Sequence, residues 1–242
     1  MHRTPKWGCA LRNQGYAAHF AADCRRLSAL TQSDTGALVT AAPASDRAEL
    51  LPRHPFPRGA SQVLDFIQEV GQRYASPQIL VHSAAMQFNR PFAEVTFEEW
   101  RRTQAVNQDS MFHFLQATLP AMKAAGWGRV VVIASSTFYI NTSGLTHYVT
   151  SKGALIGLVH GLAGEIGAFG VTINAVAPGL TRTRKAVTDV PEAYFQHVTQ
   201  LQSIPRNGTA EDQAGVVSFL VCDDAAFITG QTILADGGQG RT

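Results

Sequence analysis

The sequence predicts an α/β fold in which one doubly wound, Rossmann-type parallel sheet carries helices on both faces. From about residue 61 onward, short β-branched runs alternate with stretches whose apolar residues recur at helical spacing. This alternation is typical of βαβ units, in which a crossover helix joins two parallel strands. No linker, repeat or low-complexity segment divides the chain, so we expect a single domain over residues 1–242.

The first units of this alternation lie between residues 61 and 134. A helix is predicted where apolar residues recur at helical spacing, namely Val63, Phe66, Ile67, Val70 and Tyr74. A short strand follows at Gln78-Ile-Leu-Val81. Thr96 and Glu99 form a capping box that opens a long helix, whose apolar stripe includes Met111, Leu115, Leu119 and Met122. Gly126 and Gly128 end this helix, and the β-branched run Arg129-Val-Val-Val-Ile-Ala134 is typical of a strand that is covered on both faces.

The later units repeat this order. A helix is predicted from the spacing of Leu155, Leu158, Leu162 and Ile166, and Gly167 and Gly170 end it. Residues 171–177 read as a buried strand and residues 228–234 as the last strand. Between them, Thr209 and Asp212 cap a further helix.

The first 60 residues give weaker signals. Residues 16–30 fit a helix and residues 36–40 a short strand. The strand expected before them, near residues 5–10, contains Pro5 and Gly8, which both weaken strands.

Composition indicates a soluble globular protein. Hydrophobic residues make up 45% and charged residues 16%, and 20 basic against 18 acidic residues give a net charge of +2. This balance gives no reason to expect nucleic acid or membrane binding. No apolar run reaches the roughly 18 residues that a membrane span needs. Three scattered cysteines argue against a disulfide framework or a zinc site, so no metal is expected and the cytoplasm is the simplest location.

The N-terminal segment has a second interpretation. Its first 22 residues carry Arg3, Lys6 and Arg12 and no acid, which faintly resembles an organellar transit peptide. The fold needs these residues as its first βα unit, so we favour the structural interpretation.

Three polar residues follow the strand predicted at residues 129–134 in a pattern that suits acid–base chemistry. Tyr148 and Lys152 lie four apart, which places both side chains on one face of a helix. A neighbouring ammonium favours the phenolate and moves the tyrosine pKa toward working pH. Ser135 lies at the carboxyl end of that strand, where open α/β sheets bind ligands, and its hydroxyl suits a substrate carbonyl. Each feature alone is more often an ordinary surface pair or strand-end hydroxyl.

Together with further motifs, this combination resembles the short-chain dehydrogenase/reductase family. Ser135 precedes Tyr148-Val-Thr-Ser-Lys152 by the expected interval, and Asn107 falls where that family carries its helix asparagine. Asn174-Ala-Val-Ala-Pro178-Gly179 followed by Thr183 is similar to the family's Pro-Gly segment. Ile228-Thr-Gly-Gln-Thr-Ile-Leu-Ala-Asp236-Gly237-Gly238 is similar to its last strand and glycine turn.

The resemblance implies an NAD(P)-dependent oxidoreductase that interconverts an alcohol and a ketone or aldehyde by hydride transfer. Tyr148 would exchange the proton, Lys152 would lower the tyrosine pKa and bind the nicotinamide ribose, Ser135 would orient the substrate oxygen, and Asn107 would support a proton relay. The cofactor, NADP or NAD, would contact Gly15, Ala84, Tyr148, Lys152, Pro178, Gly179, Thr181 and Thr183. The family usually assembles through its two long helices, here near residues 96–124 and 148–168, so a homotetramer is expected.

The nucleotide-binding features depart from the family pattern. The loop Thr-Gly-x-x-x-Gly-x-Gly is matched here by residues 10–17, of which Gly15 alone remains, while Leu11 and Ala17 add side chains where the pyrophosphate approaches the backbone. Residues 41–43 lack the acid that binds the ribose 2′-hydroxyl of NAD, and Arg47 leans weakly toward the 2′-phosphate of NADP. Residues 57–59, Pro-Arg-Gly, replace an expected aspartate.

Two rival functions follow from this damaged loop. One is a catalytically silent scaffold or binding protein. The other is a non-redox enzyme similar to halohydrin dehalogenases, which have lost the loop but carry Arg at the position of Lys152. His82, in His82-Ser83-Ala84-Ala85 where the family has Asn-Asn-Ala-Gly, is either a hydrogen-bonded strand-end histidine or a ligand or proton carrier. Residues 184–204, with Tyr194 and Phe195, are expected to cover the substrate, and Phe138 and Tyr139 to line the cleft, although such aromatics are often plain packing.

Overall fold

The computed structural model describes residues 37–40, 60–73 and 76–240. Within them a five-stranded sheet has the order β1-β2-β3-β4-β5. The strands are β1 (Ala37–Thr40), β2 (Ile79–His82), β3 (Gly128–Ile133), β4 (Val171–Pro178) and β5 (Thr232–Ala235). The helices are α1 (Ala60–Arg73), α2 (Phe97–Gln104), α3 (Ser110–Ala125), α4 (Thr146–Ile166), α5 (Arg184–Asp189), α6 (Glu192–Leu201) and α7 (Ala210–Val221).

The predicted parallel sheet is confirmed for strands β2 to β5, which pair in parallel throughout. The strand expected at residues 36–40 is present as β1, but it runs antiparallel to β2. An antiparallel edge strand on an otherwise parallel sheet is common in α/β folds, because an edge strand satisfies its hydrogen bonds in either direction. The strand expected near residues 5–10 and the helix at residues 16–30 lie outside the described residues.

Helices cover both faces of the sheet, as the sequence predicts. Alternate residues of β3 point to opposite faces. Val130 and Val132 join the larger core cluster with residues of α1, α3 and α4. Val131 joins a second cluster with residues of α7. The buried members of the α3 stripe include Met111, Leu115 and Met122.

Helix boundaries follow the capping signals read from the sequence. Both predicted capping boxes form, Thr96 with Glu99 at α2 and Thr209 with Asp212 at α7. Gly126 ends α3 in the left-handed conformation, with φ 67°. The long helix predicted from residue 96 is interrupted: a π-helical turn at Ala105–Asp109 separates α2 from α3.

The last strand is shorter than the predicted 228–234. The side chain of Asn174 donates to the carbonyl of Ile228 at 2.8 Å and accepts from the amide of Gln231 at 3.0 Å. These bonds close residues 228–231 into a turn around the left-handed Gly230 (φ 72°), so the ladder begins only at Thr232. In the part of the chain that the structure describes, no helix is both long and apolar enough to cross a membrane.

Candidate active site

Ser135 and Tyr148 come together at the carboxyl end of β3. Ser135 follows β3 in an extended conformation, and its Oγ accepts hydrogen bonds from the amide and the hydroxyl of Thr137, at 3.3 and 2.9 Å. These bonds fix the serine at the start of the turn that leads to α4. The side chain of Ser135 also forms a hydrogen bond with that of Tyr148, which lies in the first turn of α4. The structure therefore unites two residues that are 13 positions apart, as the motif predicts.

Lys152 lies one turn further along α4 and points back at the sheet. Its Nζ donates to the carbonyl oxygen of Ile133, the last residue of β3, at 2.6 Å. Nζ is 5.5 Å from the centre of the Tyr148 ring. The side chain is 1% exposed, and this burial lowers the pKa of Lys152 from 10.5 to about 7. The lysine is thus half neutral near pH 7 and can change its charge at working pH.

The electrostatics of Tyr148 differ from the sequence-based expectation. We expected the lysine ammonium to lower the tyrosine pKa. Instead, burial raises the pKa of Tyr148, and the hydrogen bond from Ser135 opposes that shift only in part. The physical reason is that desolvation disfavours the phenolate while the neighbouring lysine, itself desolvated, carries only part of a charge near neutral pH.

Asn107 is buried in the π-helical turn between α2 and α3. Its side-chain oxygen accepts from the amide of Met86 at 2.6 Å, and its nitrogen donates to the carbonyl of Met86 at 3.1 Å. The same nitrogen donates to Ser151 Oγ at 2.9 Å, next to Lys152. Asn107 therefore connects the segment after β2 with α4. Turns of π type inside helices occur frequently at functional sites.

The loop after β4 lies beside the strand end that carries Ser135, because the amide of Ala134 donates to Val176 at 2.7 Å. Pro178 ends β4, and a Cβ on Gly179 would lie 2.7 Å from Asp236, so only glycine fits there. Thr181 Oγ1 donates to the carbonyl of Gly179 at 3.0 Å. Thr183 caps α5 by accepting from the amide of Ala186 at 3.1 Å. These contacts hold the backbone of the loop in place beside the end of β3.

The remaining members of the expected cofactor set divide into two groups. Ala84 is buried just after β2, at the same edge of the sheet. Gly15, with Leu11, Ala17, residues 41–47 and residues 57–59, lies outside the described residues.

A sequence family described as enoyl-(acyl carrier protein) reductase matches residues 58–239. The chain belongs to the short-chain dehydrogenase/reductase family. Members of this family are NAD(P)-dependent oxidoreductases, and this chain is an enzyme of that kind.

Two curated relatives support membership in the short-chain dehydrogenase/reductase family. The 3-oxoacyl-(acyl carrier protein) reductase of Pseudomonas aeruginosa is 32% identical over 94% of both chains. The D-β-hydroxybutyrate dehydrogenase of Rhizobium meliloti is 33% identical over 74% of this chain and 73% of its own length. Among solved structures, the gluconate 5-dehydrogenase of Burkholderia cenocepacia in complex with NADP and tartrate has a TM-score of 0.71 at 27% identity, covering 75% of this chain and 72% of that chain.

Some contacts of this short-chain dehydrogenase/reductase site were not foreseen from its sequence. Ser151 accepts a hydrogen bond from Asn107. It lies between Tyr148 and Lys152 in the motif, and that position is the one sequence feature that could have indicated its role. Ser110 binds His82 Nε2 at 2.8 Å, and nothing in the sequence spacing pairs two residues that are 28 apart. Phe88 stacks on His147, the neighbour of Tyr148, with ring centres 3.8 Å apart.

The aromatic residues expected around the substrate take different roles. Phe138 is partly exposed and its ring lies against Gly153 of α4. Tyr139 packs against the larger core cluster. Tyr194 is exposed on α6, whereas Phe195 is fully buried with the guanidinium of Arg182 4.4 Å from its ring centre. Of these four, Phe138 and Tyr194 are the most exposed, at 45% and 46%.

Proposed function

We propose that this protein interconverts an alcohol and a ketone or aldehyde with NAD(P) as the redox cofactor and Tyr148 as the acid/base. The observation that supports this most strongly is the group formed by Ser135, Tyr148 and Lys152 at the carboxyl end of the parallel sheet. Open α/β sheets bind their ligands at this edge.

The residues present fit the nicotinamide half of the cofactor. Lys152 is a triple N–H donor with one hydrogen bond to Ile133, and it lies beside the phenol of Tyr148. This donor set suits the hydroxyls of a ribose. Pro178, Gly179, Thr181 and Thr183, with Ala84, would complete the binding surface along the same edge. When bound, the nicotinamide supplies or takes up the hydride.

Each side chain has a task that its environment supports. Tyr148 would exchange a proton with the substrate oxygen, and Ser135 would donate a hydrogen bond to that oxygen. Burial raises the pKa of Tyr148, so the phenol keeps its proton near neutral pH, ready for donation to a carbonyl. Lys152 would hold the ribose and exchange a proton with the relay. Asn107 would hold that relay in place through its bonds to Met86 and Ser151.

NADP is the first cofactor to test. The gluconate 5-dehydrogenase structure contains NADP, as does the structure of a 3-oxoacyl-(acyl carrier protein) reductase from Agrobacterium tumefaciens, which is 32% identical with a TM-score of 0.69 over 75% of this chain and 71% of that chain. Arg47 adds a weak argument from the sequence.

The test is fluorescence of NADPH and NADH on addition of the protein, followed by turnover with a panel of carbonyl compounds. The names of two relatives refer to substrates that carry an oxygen on the third carbon of an acyl chain. Acetoacetate and acetoacetyl thioesters are therefore the first carbonyl compounds to test. We expect a fluorescence change with at least one cofactor and oxidation of it by at least one carbonyl compound. No change at millimolar cofactor would instead support the silent-scaffold function.

We also propose that the enzyme acts as a single-domain cytoplasmic homotetramer. Phe112 on α3 and Phe169 after α4 are 52% and 47% exposed, so the helices expected at the interface do present apolar surface. Self-complementary contacts of this kind close into symmetric assemblies. Sedimentation at micromolar concentration should give a tetramer, and a monomer would refute the assembly.

A further inference from the structure

A buried histidine beneath α3 has a hydrogen-bonding group that the proposed mechanism does not use. His82 ends β2 and is completely buried. Its Nε2 is 2.8 Å from Ser110 Oγ, and its ring lies edge to face on Phe114, 6.2 Å between centres. Its Nδ1 is also buried and has no hydrogen-bond partner among the described residues. Such an atom calls for an explanation, because buried polar groups are nearly always paired.

The hydrogen bonds around Ser110 determine where the histidine carries its proton. Ser110 Oγ donates its single proton to the carbonyl of Val106 at 2.7 Å. It can therefore only accept from His82, which places the proton on Nε2. Nδ1 is then a bare lone pair. Burial, together with a smaller effect of the Lys152 charge, lowers the pKa of His82 to about 3, so the ring stays neutral at working pH.

The sheet register places the His82 side chain near the strand end that binds the lysine. His82 pairs with Val132, so both side chains lie on one face of the sheet. Val132 packs in the core cluster with residues of α3 and α4. Ile133, whose carbonyl holds Lys152 Nζ, is the next residue of that strand. Among the described residues, Lys152 is the charged group that acts on His82; α3 faces it with Ser110 and Phe114, which do not titrate.

We propose that His82 is a positioning residue for Lys152: its bare Nδ1 accepts a hydrogen bond from a buried water that the lysine Nζ also binds. Nζ has N–H donors beyond its bond to Ile133, and a water between a donor and an unpaired acceptor is the usual way to satisfy both. This contact favours the charged lysine beside Tyr148. The proposal rests on the proposed function for its relevance to catalysis, but not for its test.

Two substitutions separate the two nitrogens of the ring. Asparagine at position 82 places an amide near the position of Nδ1 and loses the Ser110 bond. Glutamine reaches the position of Nε2 and can keep that bond while losing the acceptor at Nδ1. His82→Leu removes both. The comparison of His82→Asn with His82→Gln therefore distinguishes an effect on the lysine from a general loss of packing.

The measurement is the titration of Lys152 by NMR of lysines labelled at Cε, in protein without cofactor or substrate. The Lys152 signal is the one that Lys152→Met removes. We expect His82→Asn to titrate as the unmodified protein does, and His82→Gln and His82→Leu to lower the Lys152 pKa by about one pH unit relative to it, the size of one lost hydrogen bond to a charged group. Equal titration in all three variants, or an asparagine variant as low as leucine, would overturn the proposal.

A matched control and a variant-free measurement complete the experiment. Thr118→Val removes another buried hydroxyl of α3, which donates to Phe114 as Ser110 does to Val106, and should leave the Lys152 titration unchanged. In the unmodified protein, nitrogen NMR should show His82 protonated at Nε2 with Nδ1 accepting a hydrogen bond from pH 5 to 9. A proton on Nδ1 would overturn the proposal even if no variant folds. None of these NMR measurements requires catalytic turnover. They therefore test the role of His82 even if the proposed function is wrong.

Discussion

Tyr148 is the residue on which the proposed chemistry depends. Its hydroxyl is hydrogen-bonded to Ser135 and belongs to the buried group that contains Lys152. Tyr148→Phe removes the proton donor and leaves the ring, so we expect turnover to fall by roughly 10²–10⁴-fold with little change in unfolding. Initial rates with the best carbonyl substrate measure this. Activity within about tenfold of the unmodified enzyme would remove Tyr148 from the mechanism.

Lys152 gives stability an unusual dependence on pH. The unfolded chain keeps this proton up to the ordinary pKa of 10.5, whereas the folded protein releases it near 7. Between those values the unfolded state binds the extra proton, so raising the pH favours folding. This site should add up to about 1.4 kcal/mol of unfolding free energy per pH unit, roughly 4 kcal/mol between pH 7 and 10.

The comparison that isolates this contribution is Lys152→Met. Urea unfolding of both proteins at several pH values removes the background from other groups. As the pH rises from 7 to 10, the free energy of unfolding of the unmodified protein should increase relative to that of the variant. The lost bond to Ile133 shifts the variant by a constant amount, so parallel curves would show that burial does not depress the lysine pKa.

At the scale of elements, the π-helical turn is the feature that ties the site together. Asn107 bonds both backbone groups of Met86 and the hydroxyl of Ser151. Asn107→Ala should cost about 3 kcal/mol of unfolding free energy, because it leaves buried groups unpaired. It should also expose the Met86 amide to hydrogen exchange and reduce turnover. Retained protection of that amide would show that the turn does not depend on the asparagine.

The elements also show where sequence patterns suffice. Capping boxes and glycine ends are local signals, so the boundaries at Thr96, Gly126 and Thr209 were predicted correctly. The turn at residues 105–109 and the shortened β5 depend on contacts with distant segments, the backbone of Met86 and the side chain of Asn174, which periodicity cannot pair. The direction of β1 was missed because a strand's sequence does not encode its partner's orientation.

The site shows the same division. Ser135, Tyr148 and Lys152 could be proposed together because local spacing places the tyrosine and lysine on one helix face and the family resemblance adds the serine at the strand end. The pKa of Tyr148 was expected in the wrong direction, because the extent of burial at α4 depends on the whole fold. The bond between His82 and Ser110 and the stack of Phe88 on His147 join segments that the sequence leaves unconnected.

For the whole molecule, the cofactor should bind through its nicotinamide half more than its adenine half. Lys152, Tyr148 and residues 178–183 are arranged along one edge of the sheet, with Gly179 held against Asp236. The nucleotide loop keeps only Gly15 of its glycines. Poorly paired pyrophosphate groups should cost about 1–3 kcal/mol, or about 5- to 150-fold in affinity.

Calorimetric titration with NADPH, NADH and the separate halves of each cofactor tests this distribution. Nicotinamide mononucleotide should retain a larger share of the binding free energy than adenosine 2′,5′-bisphosphate does. Leu11→Gly should then tighten the dinucleotides, because it removes a side chain from the path of the pyrophosphate, while leaving nicotinamide mononucleotide unchanged. Submicromolar binding by the unmodified protein would mean that the loop reaches the phosphates despite Leu11, and tighter binding of the mononucleotide as well would mean that Leu11 acts through the fold rather than at the pyrophosphate.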